Sequence, residues 1–489
     1  MTSTSPDRTP VVVAAGQVCE RGEPLDVLEL IVRAAEEALA GAPLLRAAVQ
    51  RVSVVGVLSP AGPALASAVA ARLGIEPSSC EVSTIGGDSP QSLVTRAAAE
   101  IAAGQLSATL VAGGEALRSA RLGETAPPPA TLGPADSLYG SRRIGVGDVE
   151  RAAGLGAPVH VYAMIESAIA ARLGRAPAEH RLALAELFAP FTEVAARHPQ
   201  AWFREVRSAA EIAEPTEENR LVSDPYTKRM CAFLGSDQAA ALLVCSLAAA
   251  REAKVADRAV FVWSGASCDD VWEPVARPDL AASPALAAAA GAALAAAGVG
   301  SEEVSLFDLY SCFPAAVEVA AEALRLPPGD GRGLTVTGGL PYFGGPGNNY
   351  CTHAIATMTD ELRERGEGTG LVGALGWYLT KHAYGLYGAA PPPQGFRLAD
   401  TSGEQAAIEA TALPVTVAGR EEAEGTVVAG TVTYRGASPV SAPAVLLLDD
   451  GRRTAANAVE EDLAHLAGTT LVGRRVRLVA GSAAYAVIG

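Results

Sequence analysis

The chain lacks the cysteine pattern of a disulfide or zinc framework. Its seven cysteines, at 19, 80, 231, 245, 268, 312 and 351, include no C-x-x-C pair and no spacing of the secreted kind. Reduced thiols in a cytoplasmic protein are expected, and no metal site. It also lacks positive charge. Fifty-four acidic residues against 38 basic ones give a net charge of -16, which excludes a general binder of nucleic acid. An anionic ligand would need a local basic patch, and six of the 38 Lys and Arg fall between Arg197 and Arg229. No charged start followed by an apolar run marks a signal peptide. The apolar runs are short: Ala281 to Ala297 is interrupted by Pro284 and Gly291, which suits a buried helix and not a membrane span.

What is present is length and apolar material. With 489 residues, 49% of them hydrophobic, the chain has enough for two or three domains with large cores. The first hundred residues alternate between short apolar strands (Val11 to Ala14, Arg51 to Leu58, Cys80 to Ile85, Ala108 to Ala112) and helices (Leu25 to Leu39, Ala64 to Leu73, Gln91 to Ala103). That rhythm predicts a buried mixed or parallel sheet of the α/β class. From Gly114 to about Ser223 it breaks. Pro127-Pro128-Pro129 and Gly145-Val146-Gly147 mark loops, and helices follow near His160 to Leu173 and Ala178 to Ala196. The chain returns as a strand at Gln238 to Cys245, and the rhythm repeats. Strands are expected at Val260 to Ser264, Val304 to Leu309 and Leu371 to Leu375. Helices are expected at Pro284 to Ala297, Pro314 to Leu324 and Thr352 to Arg365. Two halves of one plan predict an internal duplication. Beyond Pro391-Pro392-Pro393 and about Asp400, strands at Pro414 to Val417, Glu424 to Tyr434, Ala444 to Leu448 and Val472 to Val479 predict a small β-rich, OB-like module.

Four loops stand in order on these elements. They are Thr84-Ile85-Gly86-Gly87-Asp88-Ser89-Pro90-Gln91 before a helix, Tyr310-Ser311-Cys312-Phe313 after a strand, Gly344-Gly345-Pro346 in a glycine-rich loop, and Ala374-Leu375-Gly376-Trp377 after the last strand. Together with the duplicated halves, over roughly residues 10 to 390, they resemble the thiolase superfamily. The nearest likeness is to actinobacterial proteins labelled acetyl-CoA acetyltransferase, of the sterol-carrier type, with an added C-terminal β domain. The resemblance implies a duplicated thiolase fold in αβαβα layers. It divides the chain into a first half (1–117 and 224–256), a loop domain (118–223), a second half (257–395) and the β domain (400–489).

In that family Gly86 stands where the catalytic cysteine is, and Gly345 where the histidine of Gly-His-Pro is. No cysteine occupies the fourth loop. Acyl transfer needs a nucleophile, a base and oxyanion donors, so ordinary thiolysis is not expected. The resemblance implies an acyl-CoA ligand, in lipid metabolism, with coenzyme A as substrate or ligand and no other cofactor. Altered chemistry such as retro-aldol cleavage is expected; the alternative is a non-catalytic CoA or lipid carrier, or a scaffold. Tyr310, on the second loop, takes an oxyanion-hole position. With His353 or His382 it is the expected catalytic set. Gly86, Gly87, Ser89, Gly345, Asn349 and Tyr350 are expected around the ligand, and Lys228 and Arg229 at the CoA phosphates. Pro90 suits a first helical turn, and Asp88 or Ser89 its cap. A homodimer, or a partner protein held by the β domain, is the expected association.

Overall fold

A computed structural model describes residues 5–123, 135–419 and 422–488; the predicted break at Pro127 to Pro129 lies outside them. The first half contributes β1 (Pro10–Glu20), α1 (Val27–Gly41), β2 (Arg51–Val54), α2 (Leu65–Arg72), β3 (Ser79–Ser83), α3 (Ser89–Ala103) and β4 (Ala108–Ala116). α1 starts because the Asp26 carboxylate accepts the Glu29 N–H. α3 stops because Gly104 supplies the left-handed residue that closes it. The excursion follows as α4 (Leu117–Leu122), β5 (Ser137–Tyr139), α5 (Asp148–Ala152), α6 (Pro158–Arg172), α7 (Pro177–Arg197), α8 (Ala209–Ala213), β6 (Leu221–Ser223) and β7 (Tyr226–Thr227). β8 (Asp237–Ser246) and α9 (Leu247–Glu252) close the half. The second half holds β9 (Val260–Asp269), α10 (Pro284–Ala297), β10 (Leu306–Asp308), α11 (Pro314–Ala323), α12 (Tyr350–Arg365), β11 (Thr369–Gly376) and β12 (Lys381–Gly388).

The duplication is visible in strand pairing. In the first half β2 runs parallel to β4, β4 antiparallel to β8, and β8 antiparallel to β1. In the second, β10 runs parallel to β11, β11 antiparallel to β12, and β12 antiparallel to β9. The two half-sheets join where Val11 and Val12 pair with Phe261 and Val260. α3 and α12 pack against strands of both halves, while α1 and α2 cover the first half and α10 the second. The result is the expected αβαβα stack. The middle helices sit close because glycines face them: a Cβ on Gly265 would come 2.4 Å from Thr95, and one on Gly385 2.2 Å from Gln91. β5 adds to the free edge of β3 in parallel.

After β13 (Arg397–Leu398) and α13 (Ser402–Glu409), the chain forms β14 (Glu424–Gly430), β15 (Thr433–Arg435), β16 (Ser438–Ser441), β17 (Pro443–Leu448), β18 (Arg453–Ala458), α14 (Leu463–Leu466), β19 (Arg475–Leu478) and β20 (Ala484–Val487). β14, β17, β18, β20 and β19 close into a barrel in that order. β18 and β20 are parallel, with α14 between β18 and β19; this is the OB arrangement. The barrel is anchored to the excursion. β15 pairs with β6 at Thr433 and Ser223, the Tyr434 hydroxyl and the Gly468 N–H donate to Asp224, and the Gly430 N–H donates to Ser167. Ala429, Val445 and Ala455 belong to the main core.

Several elements differ from expectation. β12 lies beyond the expected strands, because Gly385 and Gly388 weaken a strand signal there. Glu424 to Tyr434 is two strands, parted at Thr431 and Val432. Pro414 to Val417 makes only an isolated bridge, Val415 to Arg453. A further strand, Arg453–Ala458, precedes the short helix Leu463–Leu466.

Candidate functional site

The N-terminal ends of the two middle helices meet. The Gly86 N–H, just before α3, donates to Asn348 Oδ1, just before α12, at 3.0 Å; Asn348 Nδ2 donates to the Gly56 carbonyl at 2.7 Å. Four of the expected groups share this junction: Gly86, Gly87, Ser89 and Tyr310. Ser89 is buried in the first turn of α3, and its hydroxyl donates to the Thr84 carbonyl at 3.1 Å. Asp88 holds the N-cap position, yet its carboxylate makes no cap bond. It turns instead to Lys381, whose Nζ lies 2.8 Å from Asp88 Oδ1 and donates to the Ile85 carbonyl at 3.3 Å.

This ion pair fills the space beside Gly86. A Cβ there would stand 2.2 Å from Asp88 Oδ1 and 2.5 Å from Lys381 Nζ, so no side chain fits without displacing one of them. Lys381 is 7% exposed. Its neighbour across the ladder is Asp269, whose carboxyl is pushed up to about 6 by burial and by the nearby Asp88 charge. The cluster therefore combines a buried ammonium with two carboxyl groups, one of which, Asp269, is raised by burial.

Tyr310, on the loop between β10 and α11, completes the junction. A Cβ on Gly87 would lie 2.2 Å from the Tyr310 hydroxyl and 2.6 Å from the Leu375 carbonyl. Among the described residues that hydroxyl has no hydrogen-bond partner. Burial raises the phenol well above its usual range. At neutral pH Tyr310 is a proton donor, not a base.

The other expected residues lie around this point or away from it. The Tyr350 ring stands edge-on to Tyr310 at 5.6 Å, but its hydroxyl is committed to Asp308 at 3.0 Å and to Thr337. Asn349 Oδ1 accepts from Thr352 at 2.6 Å, and its Nδ2 is buried without a partner. The Gly345 N–H donates to the Phe233 carbonyl at 2.8 Å, and a Cβ on Gly345 would press on that oxygen at 3.0 Å. Lys228 is exposed, and Arg229 donates to the Glu211 carbonyl at 2.6 Å. Cys312 is buried with its thiol pushed up to about 12, unsuited to attack.

Neither expected histidine is a hydrogen-bond partner of Tyr310 among the described residues. His353 packs on Phe343, its Nδ1 2.8 Å from Gln17 Oε1. His382 follows Lys381 on β12, so alternation turns it to the opposite face. There its Nε2 meets Ser283 Oγ at 3.1 Å, the hydroxyl that also donates to Asp270 at 2.7 Å and caps α10. Burial lowers His353 to about 3 and His382 to about 4. Lys381, and Asp88, which was expected only as a helix cap, stand beside Tyr310 and Gly86 instead, with Asn348 at the same junction.

No family model matches the chain, and no curated protein matches it. A solved structure, a monomeric SCP2-thiolase like protein type 1 from Mycobacterium smegmatis, matches at TM-score 0.85 and 32% identity, covering 99% of each chain. Acetyl-CoA acetyltransferase from Syntrophomonas wolfei matches at TM-score 0.57 and 17% identity, over 78% of this chain and 99% of the other. Human mitochondrial 3-ketoacyl-CoA thiolase matches at 0.56 and 15%, over 78% of this chain and 99% of its own. The latter two share the fold.

Proposed function

The chain belongs to the SCP2-thiolase-like proteins of the thiolase superfamily, and from that premise we propose that it binds acyl-CoA without performing ordinary thiolysis. The observation that carries this reading is the Lys381–Asp88 pair in the space beside Gly86. A nucleophilic sulfur has no room there. The pair supplies a cation where a thioester would otherwise be attacked, and a cation stabilises a thioester oxygen that gains charge.

The chemistry this arrangement favours is cleavage of a β-hydroxyacyl-CoA. A carboxylate takes the hydroxyl proton, and Asp269 is the candidate base. The Cα–Cβ bond then breaks, leaving a carbonyl product and a thioester enolate. Lys381 and the Tyr310 hydroxyl hold the enolate oxygen, and Cα is reprotonated. The excursion and Lys228 are the expected side for the CoA phosphates.

The packing of Tyr310 against Gly87 favours a second reading, a carrier with a filled site. Two measurements test them, and the second separates them. Millimolar CoA should raise the melting temperature under either reading; an unmoved melting temperature rejects both. Product analysis with a hydroxyacyl-CoA should show retro-aldol products, and Tyr310→Phe should abolish them with CoA affinity nearly unchanged. Absence of product from the unaltered protein leaves the carrier.

A further inference from the structure

Three metal-ligating side chains meet away from this site, where α6, α7 and α11 pack together. Glu166, His180 and Glu318 each bring one ligand atom within 4.8 Å of the others. The Glu166 and His180 side chains are fully buried, and Glu318 is 20% exposed. His180 Nε2 lies 2.7 Å from Glu166 Oε1, and the other Glu166 oxygen accepts the Tyr226 hydroxyl at 2.6 Å. Glu318 Oε2 is buried with no N–H or hydroxyl donor, 3.9 Å from the same histidine nitrogen, and faces Glu166, with which it can share one carboxyl proton. On its far side His180 Nδ1 is also buried without a partner. His180 lines a cavity of about 30 Å³ with Arg175 and Asp224, whose Oδ1 is unpartnered too.

Two carboxylates cannot face one another in a buried place while both are charged and uncompensated. Burial pushes Glu318 up to about 10 and Glu166 upward and lowers His180, whose Nε2 can offer a lone pair once the proton of its hydrogen bond to Glu166 is displaced or the ring carries its proton on Nδ1. Protons can compensate such a pair, and so can a cation. We propose that Glu166, His180 and Glu318 form a binding site for a divalent transition ion of the zinc class, held by one imidazole nitrogen and carboxylate oxygens. The imidazole disfavours magnesium and calcium, and the absence of thiolate from the set disfavours copper(I). Tyr226 fixes the Glu166 carboxylate from outside the ligand set. The cavity that His180 lines has volume for one water. Arg175 and Glu179 add charges of opposite sign nearby.

The ion would tie two helices of the excursion to α11, whose first turn follows the Tyr310 loop and whose Ala315 N–H reaches the Tyr226 hydroxyl at 3.5 Å. Its effect is on stability and on the setting of that loop, not on a bound acyl-CoA.

The test uses full-length protein stripped by a chelator, exchanged into chelator-free buffer near neutral pH, and titrated with Zn²⁺ by calorimetry. One ion per chain and a higher melting temperature are expected, with both lost in Glu318→Gln and in His180→Gln. Co²⁺ should give visible absorption in the unaltered protein and none in either variant. Substoichiometric binding to the unaltered protein, or stoichiometric binding that survives in both variants, overturns the proposal. Should the variants fail to fold by circular dichroism, zinc-edge absorption on the unaltered protein decides. A shell of oxygens with one imidazole supports the site; two imidazoles or a thiolate overturns it.

Discussion

Asn348 holds Gly86 across the two halves of the molecule, its side-chain oxygen accepting the Gly86 N–H at 3.0 Å while its amide donates to Gly56 at 2.7 Å. The residue is 7% exposed, so water does not replace these bonds freely. Asn348→Ala leaves a buried donor and a buried acceptor unpaired. It should cost about 2 to 4 kcal/mol in stability, measured by urea unfolding. A change below about 0.5 kcal/mol would show that the junction relaxes or admits water.

Restoring a thiol at the junction should not restore thiolysis. In Gly86→Cys the new Cβ meets Asp88 and Lys381, and the backbone φ of +155° already suits glycine best. A loss of about 1 to 3 kcal/mol from overpacking is expected, with no acetoacetyl-CoA thiolysis in a coupled assay. Iodoacetamide-sensitive turnover at ordinary enzyme rates would contradict this account.

Acid should weaken the fold through its buried histidines. His198, His353 and His382 titrate at about 4, 3 and 4 in the native state against about 6.5 unfolded. Their folded values are depressed below the unfolded one, so the unfolded chain takes up protons first. The stability they confer is present above pH 6.5 and is lost as pH falls toward about 4. Asp269 and Glu318 oppose the trend, because their raised values favour the native state at low pH. A difference measurement isolates one group: His382→Asn should flatten the stability–pH curve by about 1.4 kcal/mol per pH unit between about pH 4 and 6. Parallel curves for variant and parent would mean that His382 titrates normally.

The barrel should not come away cleanly. It shares core residues with the main body, and its hairpin extends β6 and β7. Residues 1–399 expressed alone should be insoluble, or should melt well below the full chain, because removal exposes apolar core and leaves Asp224 without Tyr434 and Gly468. A truncated protein as stable as the parent would restore the picture of an independent module.

Much of the scaffold was legible because its signals are local. Helix α10 spans its expected range, Pro284 to Ala297; Ser283 caps it, Pro284 opens its first turn and Gly298 closes it behind. The two α/β rhythms gave the duplication. The site was harder, since a loop motif tells which residues come near but not which way they point. Lys381 and His382 are adjacent, and only the strand at 381 to 388 sends one toward Asp88 and the other toward Ser283. One signal was available: the chain has three lysines, 228, 254 and 381, all other basic residues being arginine or histidine. A lysine in such a sequence, between strand-like residues, marks a place where a compact point charge suits better than a guanidinium. Glu166, His180 and Glu318 gave no spacing signal, because three helices far apart in sequence bring them together.

The short strand at Ser137 to Tyr139 lies along β3, the outermost strand of the first half. An exposed strand edge is a template on which another chain can align its backbone. Here the molecule uses its own residues to occupy that template. Specific activity, or ligand capacity per chain, is then expected to be indifferent to dilution; a loss on dilution would show that a second copy completes the working unit.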